Sequence, residues 1–151
     1  MRPPLILALT LILCAAALAD SARAAARWRW TCEGEGFAAS GEFTTADAPD
    51  ADGFYEITAI KGEVNGVAIT GLQPKGTSIP GNDGYPVDNL VRRRAPQISV
   101  HGFGFSLADK TWVNPFHGAH FAAPGPYALL SDPATGRTRE PSVTFTASQL
   151  R

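Results

Sequence analysis

The chain has 151 residues, 13 Lys and Arg against 14 Asp and Glu, and 15 glycines, 12 prolines and 2 cysteines. Near-neutral charge gives no footing for a nucleic-acid or anionic-membrane partner. One lone mature cysteine excludes an internal disulfide framework, and the turn residues speak for strands over helices.

Met1-Arg2 is followed by an apolar run from Leu5 to Leu18 and then by small residues. This pattern predicts a secretory signal peptide over residues 1–24, with A-x-A sites placing cleavage after Ala19 or Ala24. The run is too short to span a bilayer comfortably, so no transmembrane anchor is expected after cleavage. Cys14 is not a lipobox cysteine, because Leu13 stands where a small residue is needed. The expected location is periplasmic or extracellular. Residues 25–151 then form one domain with 11 basic and 13 acidic side chains, a net charge of −2. That length supports a real core. Cys32 is expected to be buried in a strand rather than paired.

Arg27 to Cys32 alternates, with Trp28, Trp30 and Cys32 on the inner side. After Gly34-Glu-Gly36, a second strand puts Phe37, Ala39, Gly41 and Phe43 in phase. Residues 46–53 form an acidic turn, and Gly53 to Leu72 reads as a long hairpin turning at Asn65-Gly66. Asn and Gly tolerate the positive φ that a two-residue type I′ turn needs. The expected register pairs Val64 with Val67, Gly62 with Ile69 and Ile60 with Gly71, with Glu63–Ala68 and Lys61–Thr70 on the other face.

Residues 73–91 predict a long irregular loop with a short strand near Val87 to Val91, and long loops inside compact domains are often functional. Arg92 to Arg94 reads as a solvated edge that discourages sheet aggregation. Gln97 to Leu107 changes phase, so a bulge at His101-Gly102 would put Ile98, Val100, Phe103, Phe105 and Leu107 on one side. Trp112 is expected to pair with Leu107 and fill the core. A second loop, aromatic in character, is expected over residues 114–126. A strand at Tyr127 to Ser131, a type I turn at Asp132 to Gly136 and a last strand from Ser142 to Ala147 complete the chain. The whole predicts an all-β fold, an antiparallel β-sandwich, with an 8-stranded up-and-down β-barrel as the alternative.

Candidate chemistry is sparse. Asp47, Asp50, Asp52 and Glu56 invite calcium, yet Ala48 and Ala59 stand where an EF-hand loop needs ligands, so a solvated turn is the simpler reading. His117 and His120 could share a metal, for which zinc would want a third ligand such as His101, Asp109 or Asp83. No G-x-S-x-G elbow is present, no carboxylate pair implies glycosidase chemistry, and no catalytic residue is assigned. Trp112, Tyr85, Phe116 and Phe121 could form an aromatic platform, with Asn82, Asp83, Asp88, Asn89 and Asn114 as polar partners for a ligand.

The runs Gly41-Glu-Phe-Thr-Thr, Gly53-Phe-Tyr-Glu-Ile-Thr-Ala-Ile, Gly71-Leu-Gln-Pro, Ile79-Pro-Gly-Asn and Val87-Asp-Asn-Leu90 resemble a group of uncharacterised exported bacterial β-proteins. Some members carry sorting tails of the PEP-CTERM type. The resemblance covers roughly residues 36–116 and implies export, with no activity attached. The sequence ends Phe145 to Arg151 without an apolar tail, so sorting by that route is not expected. The expected function is an exported non-enzymatic binding or structural β-module, with an extracellular or cell-surface partner. The alternatives are a small-ligand barrel of lipocalin or avidin type and a metal-dependent hydrolase built on His117 and His120.

Overall fold

The computed structural model describes residues 25–151; the expected signal peptide, residues 1–24, lies outside them. Among the described residues there are ten strands and no α-helix. They are β1 (Ala26–Gly34), β2 (Phe37–Thr45), β3 (Phe54–Val64), β4 (Val67–Leu72), β5 (Leu90–Arg92), β6 (Phe105–Leu107), β7 (Trp112–Gly118), β8 (Gly125–Asp132), β9 (Arg137–Arg139) and β10 (Val143–Gln149). All pairings are antiparallel, in the order β10-β1-β2-β3-β4-β6-β7-β8-β9, with β5 added beside β3.

The all-β antiparallel expectation is met. The two layers expected of a sandwich are joined in one continuous path, which curls strongly into a half-barrel. Its far arm returns to its beginning through a bridge between Tyr127 and Ser142, supported by the Ala128 N–H donating to Pro141 O at 3.1 Å. A sheet that meets itself leaves less exposed edge for a second chain to extend.

The alternation of β1 has the predicted result. Trp28, Trp30 and Cys32 are buried, whereas the outward Arg27 pairs with Glu42 at 2.8 Å. Trp30 stacks on Phe43 with centroids 5.2 Å apart, and Phe103 meets both rings edge-on. Phe105, Phe145, Val113 and Ala128 join the same cluster, so aromatic and aliphatic side chains fill the interior of the curl. Burial of each large side chain contributes roughly 1.5–3 kcal/mol. Trp28 Nε1 donates to Thr45 Oγ1 at 3.1 Å, whereas Trp30 Nε1 is buried with no partner among the described residues.

The hairpin turns at Asn65-Gly66 with φ of 48° and 81°, and Val64 lies opposite Val67 and Glu63 opposite Ala68. The ladder stops there, so the expected Gly62–Ile69 and Ile60–Gly71 rungs are not formed. β4 swings across to β6, where Ile69 faces Leu107 and Gly71 faces Ser106. Gly62, at φ 147°, instead lies opposite Gly41 of β2.

Four further expectations are corrected. Only Phe105–Leu107 of the predicted strand over 97–107 is strand; Ile98 forms one bridge to Val91, and Val100 points out. Val113, not Trp112, enters the core, since Trp112 lies opposite Ser106 and Ser131 and is half-buried. Most of the second loop is strand: β7 and β8 pair from Trp112–Ser131 to Gly118–Gly125, leaving 119–124 as the connection. Finally, Arg92 to Arg94 is a clamp. Arg92 sits 4.3 Å over the Phe54 ring, Arg93 bonds Gln149, and Arg94 donates to Asp52 O.

Candidate functional site

The loop over residues 73–89 folds back against the outer side of β6 to β8. Its own Ile79 and Val87 are fully buried, and Gly104 makes the room: a Cβ there would lie 2.7 Å from Ile79 Cγ2 and 3.2 Å from Val87 Cγ1. Gln73 closes the loop base by donating to Thr77 Oγ1 and Ser78 O, and Asn89 Nδ2 donates to Gln73 O at 2.8 Å. Farther along, Asn82 Nδ2 donates to Asn114 Oδ1 at 3.1 Å. Asn114 is itself held by donating to the carbonyls of His101, Phe103 and Pro115.

Between this loop and the β7–β8 connection lies a cleft of about 390 Å³, within the range of small-molecule sites. Asn82 and Tyr85 come from the loop, Val100 and His101 from the segment before β6, and Asn114, Phe116 and His117 from β7. His120 and Phe121 of the connection complete one wall, and Glu140, from the segment before β10, stands at the rim. Phe116 stacks on Tyr127, and Phe121 packs on both rings, 4.6 Å from Tyr127 and 5.7 Å from Phe116.

Two coincidences mark this cleft. All three histidines of the chain line it. So do all three large apolar side chains that stay exposed among the described residues: Tyr85 at 66%, Val100 at 51% and Phe121 at 38%. Among the described residues no other large apolar side chain is left this exposed to water.

The candidate residues divide sharply. Asn82, Tyr85, Asn114, Phe116, His117 and His120 meet in the cleft. Asn89 is buried and ties the loop base, and Trp112 and Asp83 are not in the cleft lining. Asp88 is half-buried, accepts the Ser99 hydroxyl at 2.6 Å, and has its carboxyl pushed up by burial against the opposing pull of Ser99 and His101. The acids of the 46–53 turn lie apart. Asp50 Oδ1 accepts the N–H groups of Asp52 and Phe54, as a turn aspartate does. Asp52 is exposed and offers its carbonyl to Arg92 and Arg94, and Asp47 is exposed on the same turn. Among the described residues no three His, Cys, Asp or Glu side chains converge in a way that could hold a metal ion.

Val100 and Glu140 were not legible as site residues. Val100 sits in a run that reads as a strand with its apolar side inward. Glu140, between Arg139 and Pro141, belongs to no motif. Burial raises its carboxyl above the ordinary range, although the residue remains exposed at the rim, and among the described residues it has no hydrogen-bond or ion-pair partner. His117 Nδ1 is likewise buried without a partner.

The fold and the cleft define an all-β protein with a concave, partly apolar surface outside a filled core. No family model, no curated protein and no solved structure matches the chain.

Proposed function

We propose that the protein is an exported, non-enzymatic binding module that holds a small ligand in the cleft between the 73–89 loop and the β7–β8 connection. The observation that carries this reading is the coincidence, in one concavity, of the large apolar side chains left exposed among the described residues with the chain's three histidines. Apolar side chains left in water lose the free energy of burial, about 25 cal/mol per Å², unless a ligand covers them. Export rests on the basic start, apolar run and small-residue exit of residues 1–24. A site enclosed by the strands, as in a lipocalin-type barrel, draws no support from an interior occupied by Trp30, Phe43, Phe103 and Phe105.

Amide NMR of 15N-labelled protein titrated with millimolar phenol, methyl β-glucoside or alanyl-phenylalanine tests the site. At least one should shift a contiguous set of resonances from Asn82, Tyr85, His101 and Gly118 to Phe121. Shifts that are absent or scattered over the surface with all three would refute it.

A further inference from the structure

The charge of the cleft restricts what it can hold. Among the described residues, Glu140 is its only carboxylate, and neither Lys nor Arg lines it. Glu42 pairs with Arg27 and Lys61, and Glu56 with Lys75, whereas Glu140 lines the hollow with no hydrogen-bond or ion-pair partner among the described residues. Within reach of the same hollow are the exposed faces of Tyr85 and Phe121. An aromatic face attracts a cation through the ring quadrupole, and a carboxylate beside it adds direct charge attraction. An anionic ligand would meet Glu140 with no fixed cation to offset it.

We propose that the cleft selects a small organic ammonium ion: a positively charged nitrogen carried on an apolar or aromatic body, with the charge at Glu140 and the body against Tyr85 and Phe121. The volume of about 390 Å³ fits a free small molecule of this kind. This inference rests on the binding-module reading above and adds the charge class of the ligand.

Three nearly isosteric probes at neutral pH separate the two: 2-phenylethylammonium, 2-phenylethanol and phenylacetate, each titrated by amide NMR into the wild type, Glu140→Gln and Tyr85→Ala. The wild type should bind the ammonium about tenfold more tightly than the alcohol, with phenylacetate weakest. Glu140→Gln should remove the preference while leaving the alcohol unchanged. Tyr85→Ala should weaken the ammonium and the alcohol together. Both side chains are exposed, so the amide spectra of the variants should otherwise match the wild type. Equal affinity for ammonium and alcohol, a preference for phenylacetate, or a preference that survives in Glu140→Gln overturns the charge assignment and leaves the cleft standing as a binding site. If no probe moves cleft resonances, both readings fall.

Discussion

The side-chain amide of Asn82 donates to Asn114 Oδ1 at 3.1 Å, and this bond fastens the tip of the 73–89 loop to β7. The two ends of the bond are not equivalent. Asn82 is half-buried and contributes only the tie, whereas Asn114 is 2% exposed and also feeds three carbonyls. Asn114→Ala leaves His101 O and Phe103 O without their donor, although Pro115 O keeps the N–H of Phe103. A loss of about 2–3 kcal/mol in urea unfolding is expected, since unsatisfied buried groups cost about 1–3 kcal/mol each. Asn82→Ala should cost less than about 1 kcal/mol, yet speed amide exchange from Asn82 to Tyr85.

Gly41 and Gly62 lie opposite each other where β2 crosses β3, and backbone approaches backbone there more closely than any side chain would allow. A Cβ on Gly41 would lie 2.9 Å from Gly62 Cα, and one on Gly62 would lie 2.7 Å from Gly41 Cα at a φ of 147°. The neighbours are backbone and cannot rotate away. Gly62→Ala and Gly41→Ala are each expected to lower stability by about 3 kcal/mol or more, read as a fall in the urea midpoint.

Much of this was legible in the sequence, and the reason is local. Asn65-Gly66 specifies its turn through φ alone, and Trp28, Trp30 and Cys32 reveal their face through a period of two, so neither needs information from elsewhere in the chain. The segment from Ser99 to Gly104 was not legible, because only Ser99 O and the Phe103 N–H pair with β7, and most of its other backbone groups are met by the side chains of Asn89, Asn114 and Ser99 and by loop N–H groups instead of a regular ladder. With those side chains in charge, Val100 is released from the alternation that would have buried it. The cleft was half visible: an aromatic, histidine-containing stretch and a long loop were evident, but that Glu140 joins them depends on how the sheet curls. Trp112 shows the limit of pattern reading, since a one-residue shift in its hairpin moves it from core to outer face.

Cys32 is fully buried beside the Trp30 strand face, and burial pushes its thiol up to about 12, with Glu33 adding to the rise. The thiolate is the reactive species, so the native protein should be inert to Ellman's reagent at pH 8. In protein prepared without residues 1–24, and so without Cys14, no label should enter the native state and one equivalent should react once the chain is unfolded in guanidinium. Cys32→Ala should keep the fold and lose about 1–2 kcal/mol from the small cavity left behind. Rapid labelling of the native protein would contradict the packing of β1.

Asp88 is a half-buried carboxylate whose environment opposes its charge. Burial raises its carboxyl from the model-peptide value of 3.8, outweighing the Ser99 hydroxyl and the nearby His101. Because the folded pKa is the higher one, the folded state binds this proton more tightly than the unfolded state, and the penalty is present at neutral pH. It is relieved as pH falls through the folded pKa and is gone below the unfolded value. Asp88→Asn removes the charge but retains an oxygen that can accept from Ser99. The variant should therefore melt above the wild type at pH 7, by less than about 1 kcal/mol after solvent screening. The difference should narrow as pH falls through the folded pKa and close below about pH 3, where Asp88 is largely neutral in both states. A difference that is constant from pH 3.5 to 8 would mean that the substitution acts through packing and not through the buried charge.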